Sequence, residues 1–163
     1  MIDNDNQRRT ENTANAKSPA THLYGCKNPS AVNPAVLAYI GDAVYERYVR
    51  LYVFSKGILR PDRLNNASVR YVRAEAQAHV YDRLVDILTA EEAAVARRGK
   101  NHKITSMPHN VDQITYKKAT GFEALVGYLE ISEKNMRLEE IIAIAFHIIE
   151  NENIEINRKR SQK

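Results

Sequence analysis

Only one cysteine, Cys26, occurs among the 163 residues. That excludes a disulfide framework within the chain and leaves a cysteine-built zinc site without a second thiol. Long apolar runs are missing as well. No stretch approaches the roughly 18 uninterrupted apolar residues that a membrane span needs. The opening segment, MIDNDNQRRTENTANAKSPATH, is polar and lacks the apolar core of a secretory leader. No segment alternates apolar and polar residues with period two for long enough to read as a strand, and no internal repeat is visible. These absences leave an all-α domain in a reducing compartment, with a cytoplasmic location expected and no membrane partner.

The helices can be placed from their boundaries. Residues 1–28 are rich in Asn, Thr, Asp and Ala and form an expected disordered tail, because they bring little apolar surface to offset their ordering entropy. Asn33 is a good N-cap and Pro34 suits a first helical position, so a first helix is expected from there to about Ser55. Lys56-Gly57 ends it. Pro61-Asp62 opens a long second helix to about Leu88. Thr89 with Glu92 three residues on has the form of a capping box for a short third helix to about Arg98. Gly99 to Asn110 reads as a polar loop. A fourth helix follows from about Val111 to Ile131. A fifth runs from about Arg137 to Glu150, with Leu138, Ile141, Ile142, Ala145 and Ile148 or Ile149 as its apolar face. The expected architecture is a compact helical bundle over residues 29–152, with a basic tail over 153–163.

On a helical wheel the first helix carries the stripe Leu37, Ile40, Val44, Tyr48 and Leu51. Asp42 and Glu46 lie together on the far side, one turn apart, among Ala38, Tyr45, Val49 and Val53. A helix that is apolar nearly all round is buried on more than one side. Asp42 is therefore expected in or beside a second interface, such as one between subunits. On the fourth helix Glu123 sits at the edge of the stripe Phe122, Leu125, Val126 and Leu129. Gly41 and Gly127 are mid-helix, where glycine costs about 1 kcal/mol against alanine. Each stands close to a carboxylate. A crossing of the two helices at these glycines would bring Asp42 and Glu123 together. Such a pair, completed by water, is a hard oxygen site suited to Mg²⁺ or Mn²⁺. Without that crossing, the two acids are simply solvated surface groups.

The net charge is +4, and it is unevenly spread. Residues 97–118 hold Arg97, Arg98, Lys100, Lys103, Lys117 and Lys118 against the single acid Asp112, so the rest of the chain is close to neutral. A concentrated patch of this kind contacts phosphate oxygens with salt-dependent, sequence-tolerant affinity. Asn101 and His102 can add hydrogen bonds to sugar or base edges. His102 and His109 lack the close partner ligands that a metal site would need. On the second helix Arg63, Arg70 and Arg73 extend the basic surface.

Two segments resemble one known family. Leu37 to Glu46 reads LAYIGDAVYE and Thr120 to Leu129 reads TGFEALVGYL. Together they are similar to the paired signature helices of the ribonuclease III catalytic fold, in the short form called mini-ribonuclease III. ARRGKN (Ala96 to Asn101), Pro108 and YKKATGFEAL (Tyr116 to Leu125) fit the same subfamily. The resemblance covers roughly residues 33–150. It implies a homodimeric, Mg²⁺-dependent endoribonuclease that acts on double-stranded RNA and leaves 5′-phosphate and 3′-hydroxyl ends. The implied substrate is precursor ribosomal RNA of the large subunit. Asp42 and Glu123 match the two metal-ligand positions, while Arg73, Arg97, Arg98, Lys100, Asn101, His102, Lys103, Lys117 and Lys118 are the expected RNA contacts. The full-length pattern carries further acids where this chain has Ala38 and Thr120, as the mini form also lacks them. These departures thin the expected metal site. No double-stranded-RNA-binding domain is expected after the fifth helix. The alternative is a non-catalytic, dimeric helical RNA-binding protein.

Overall fold

The computed structural model describes residues 25–103 and 109–161, and everything described is helix, turn or irregular chain. The expectations for residues 1–24 and for Ile104 to Pro108 lie outside the described residues. Six α-helices follow one another: α1 (Pro34–Ser55), α2 (Pro61–Val72), α3 (Ala74–Leu84), α4 (Ala90–Asn101), α5 (Gln113–Ile131) and α6 (Asn135–Ser161). Short 3₁₀ turns occupy Pro29–Ala31 and Val85–Ile87.

The start signals work as their chemistry requires. The Asn33 side chain accepts a hydrogen bond from the Ala35 N–H (2.9 Å), one of the donors that the first helical turn leaves free. At α4 the capping box is complete. Glu92 N–H donates to Thr89 Oγ1 (3.2 Å) and Thr89 N–H donates to Glu92 Oε2 (2.9 Å). Asp112 caps α5 by accepting from the Ile114 and Thr115 N–H groups, both at 3.0 Å.

Three boundaries differ from expectation. The long second helix is broken at Arg73, which is extended (ψ 147°), so α2 and α3 are separate helices. No proline or glycine marks the corner. The Arg73 carbonyl accepts from the Ala76 and Gln77 N–H groups and so starts α3 on a new axis, along the central helix α5. Secondly, α4 continues through Gly99 to Asn101 instead of ending near Arg98. Gly99 is helical because a neighbour needs the space. A Cβ there would lie 2.5 Å from the Ala124 Cβ on α5. Finally, α6 extends to Ser161, well past Glu150. Glu150 accepts from the hydroxyls of Tyr52 (2.9 Å) and Tyr71 (3.1 Å) and pairs with Lys56, which fastens α6 to α1 and α2.

The core collects around α5, on which nine residues from Ala119 to Leu129 are buried. α1, α3 and α4 all lean on it. The inward face of α1 is not the expected stripe. Leu37, Ala38, Gly41, Tyr45, Val49 and Val53 are buried, while Ile40, Val44 and Tyr48 are only partly covered and Leu51 is 53 % exposed. Small residues decide this. Ala38 and Gly41 contribute little apolar area, yet they permit the closest packing, so weighting by side-chain size turned the wheel too far.

That packing is extreme at two points. A Cβ on Gly41 would lie 1.8 Å from the Glu123 carbonyl oxygen, and one on Gly127 would lie 2.0 Å from that of Leu37. The backbones of α1 and α5 are in direct contact there. In an open helix Gly→Ala gains about 1 kcal/mol. Here the clash is with backbone, which cannot give way as a side chain would. Gly41→Ala should therefore destabilise the protein by about 3 kcal/mol or more. A urea denaturation midpoint above the parent's would contradict the crossing.

Candidate active site

The α1–α5 contact determines where the two carboxylates stand. Asp42 follows Gly41 directly on α1, and Glu123 owns the carbonyl against which Gly41 is pressed. Both side chains line one cavity of about 380 Å³, together with Ala38 and Thr120, the two positions at which the longer family pattern carries acids. Among the described residues no third Asp, Glu, His or Cys joins them as a ligand cluster. Two hard oxygen donors in a space of this size fit a divalent cation whose other positions are taken by water and phosphate oxygens.

Burial raises the Glu123 pKa to about 8, and the Asp42 charge pushes it further in the same direction. The Gln77 amide opposes the rise. The Asp42 carboxyl is also raised, first by partial burial in the cavity and then by Glu46 one turn along. Asp42 nonetheless remains accessible to solvent, so the two carboxylates have different surroundings: one at the rim and one at the back. Glu46 is turned away toward Arg50 (2.5 Å) on the exposed surface. It acts on the site through its charge alone.

The expected basic residues divide into groups. His102, Lys103 and Lys117 line the same cavity as the carboxylates. Lys100 lies over the Tyr81 ring at 5.7 Å, and Arg97 stands near that ring as well. Lys118 pairs with Asp82 (2.6 Å). Asn101 is exposed at the last position of α4, and Arg73 is exposed at the α2–α3 corner. Arg98 has other work. It donates to the Ser30 carbonyl and to the Val32 carbonyl (2.9 Å), strapping the segment before α1 onto α4. The sequence reading missed Tyr39 and Tyr116 in the cavity wall and Gln77 behind it. The only trace of Gln77 was a lone amide among the alanines of AEAQA.

Comparison with known proteins bears on this arrangement. The ribonuclease III domain profile matches residues 35–134, a span that begins at α1 and closes after α5. The chain belongs to the ribonuclease III family. Mini-ribonuclease 3 of Brevibacillus brevis is 46% identical over 127 residues, covering 78% of this chain and 95% of the relative. Mini-ribonuclease 3 of Symbiobacterium thermophilum is 42% identical over 123 residues, covering 76% and 95%. A crystal structure of a protein from Fusobacterium nucleatum superposes with a TM-score of 0.68 at 28% identity, covering 75% of this chain and 98% of that one. As a ribonuclease III family member the chain is an endoribonuclease for double-stranded RNA, and the family depends on divalent metal. No helix among the described residues is long and apolar enough to cross a membrane.

The raised Glu123 pKa has a measurable consequence. An unfolded glutamate releases its proton near 4.5, whereas the folded protein holds it to about 8. Between those values the folded state binds more protons than the unfolded one, so stability falls as pH rises. In EDTA the melting temperature should decline from pH 5 to pH 8, and Glu123→Gln should flatten that slope and raise stability at pH 8. An unchanged slope in the variant would place the titrating group elsewhere.

Proposed function

We propose that the chain cleaves precursor ribosomal RNA of the large subunit as a cytoplasmic homodimer, with Mg²⁺ held by Asp42 and Glu123 and Mn²⁺ able to replace it. Residues 29–152 make the catalytic unit, flanked by residues 1–28 and by residues 153–163, into which α6 runs on as far as Ser161. The observation that carries this reading is the convergence of the two carboxylates in one cavity whose wall also holds His102, Lys103 and Lys117. Acids and cations in one cavity suit a phosphodiester: the acids hold the ion and the cations hold the phosphates.

A divalent ion at such a site supplies Lewis-acid polarisation of the phosphate and activation of the attacking water. The chain's own residues do the rest. Asp42, at the accessible rim, presents an oxygen ligand. Glu123 would hold the ion from the back of the cavity, and because its carboxyl keeps its proton to about 8, it would bind the ion more tightly as pH rises toward that value. Lys103 and Lys117 neutralise phosphate charge beside the scissile bond, and His102 offers a hydrogen bond there. A-form RNA presents its phosphates and 2′-hydroxyls across a wide minor groove, which shape and charge can read without base contacts. Lys100, Arg97 and Lys118 continue the basic surface around Tyr81, and Asn101 and Arg73 lie farther along it. Arg98 belongs to the RNA surface only at its margin, because two carbonyls already occupy it.

The outward face of α1 supports the dimer. Val36, Leu51 and Phe54 are about half exposed, and they share one side of the helix with Ile40, Ala43 and Arg47. Tyr39, beside them, is 81 % exposed. An apolar stripe of this length, interrupted by Arg47, on a helix already buried on its other side suits a second copy of the same helix. Asp42 lies at the edge of that stripe, so the partner would close one wall of each cavity. Ala38 and Thr120, which leave only two carboxylates in the cavity, favour the second reading: a dimer that binds RNA without cutting it.

Labelled double-stranded RNA at low salt separates the two readings. The parent should cleave with Mg²⁺ and not with EDTA. Asp42→Asn and Glu123→Gln should each abolish cleavage while RNA binding persists. Binding without cleavage under any divalent metal would establish the second reading. Lys117→Ala should weaken binding similarly across sequences and reduce the salt slope by about 1. Leu51→Glu should convert a dimer to a monomer in sedimentation experiments, and a parent that sediments as a monomer would remove the dimer from the proposal.

A further inference from the structure

Three polar side chains are buried among the described residues: Ser68, Gln77 and Glu92. Two of them have their hydrogen bonds in place. Ser68 Oγ donates to the Leu64 carbonyl (2.9 Å). Glu92 accepts from Arg137 (2.9 Å) and from its own capping box. Gln77 differs. It is 1 % exposed, and its Nε2 has no partner in full hydrogen-bonding geometry, although it stands close enough to the Glu123 carboxylate to favour that group's charged form.

The position of Gln77 gives this orphan donor a meaning. It lies in the first turn of α3, which packs against α5, and its amide stands beside the Glu123 carboxylate. An unpaired amide donor in a protein interior is destabilising, and an apolar side chain of the same shape avoids that cost. Packing alone therefore gives no reason for an amide here. Glu123 gives one. A carboxylate that ligates a cation needs one oxygen turned to the ion and the other held still. The charged neighbour Asp42 repels Glu123, while a neutral donor can hold it without adding charge.

We infer that Gln77 is a positioning residue for Glu123, its Nε2–H donating to one carboxylate oxygen so that the other is presented to the divalent ion. The inference rests on Glu123 being a metal ligand, as proposed above. Hydrogen-bonded partners of metal-ligating groups commonly change metal affinity by about 10- to 100-fold when removed.

The test uses the full chain with Mn²⁺ as the probe and no RNA. Mn²⁺ binding is titrated by calorimetry at pH 8 for the parent, Gln77→Met, Gln77→Leu and Glu123→Gln. Thermal melts in EDTA accompany each. Gln77→Met and Gln77→Leu should melt at or above the parent temperature, since they remove an unpaired buried donor. Their Mn²⁺ affinity should fall by about 10- to 100-fold. The Mn²⁺ concentration needed for half-maximal cleavage should rise by the same factor, with cleavage restored at saturating Mn²⁺. Unchanged Mn²⁺ affinity in either folded variant would overturn the inference. Failure of both variants to fold would also overturn it, making Gln77 a packing residue. If Glu123→Gln binds Mn²⁺ as tightly as the parent, the ligand assignment of Glu123 is wrong, and the role of Gln77 falls with it.

Discussion

The structure turns on one contact between two backbones. α1 and α5 touch where Gly41 meets the Glu123 carbonyl and Gly127 meets that of Leu37. Without side chains in between, the helices approach more closely than apolar packing alone allows. The remaining elements depend on this approach. α5 becomes the central post, with α4 pressed against it through Gly99 and α3 along another side. The contact also fixes where the carboxylates stand, since Asp42 and Glu123 flank it. Fold stability and site geometry therefore share one determinant, and neither can be adjusted alone.

The electrostatics follow from that closeness. A carboxyl at the back of a narrow cleft loses water on most sides and keeps its proton into the neutral range. The carboxyl pair thus carries less than its full negative charge at neutral pH, and a cation bound there would have to displace the Glu123 proton. Positive side chains on the same wall coexist with this arrangement because the acids do not both carry their full charge beforehand.

Much of this was legible in the residues. The caps at Asn33 and Thr89 marked helix starts because their side chains have a definite chemical task there. The mid-helix glycines at 41 and 127 pointed to the crossing, because glycine is unfavourable in a helix unless something needs the space. The paired motifs placed Asp42 and Glu123 in a family whose profile then matched. Other features left weaker traces. The corner at Arg73 is set by where α3 must lie against α5, and a run without glycine or proline gives no local sign of it. The inward face of α1 was misjudged because periodicity weighs large apolar residues, whereas closeness is decided by small ones. Arg98 looked like its basic neighbours, and only the path of the chain before α1 shows what it holds. Gln77 could not be read as significant from composition, since its importance lies in what it faces.

α1 carries obligations on nearly every side. One face is pressed into α5, the opposite face is largely apolar and open, and the Asp42 carboxylate of the cavity lies outside both. Most positions along LAYIGDAVYE therefore answer to more than one demand at once. Such a segment has little capacity for neutral drift: a change tolerated by packing can still disturb the open face, and a change tolerated there can still move the acid. Lineages that depart from one another should accordingly diverge in α2, α6 and the tails long before they diverge here, and a designer seeking altered properties should start from those elements.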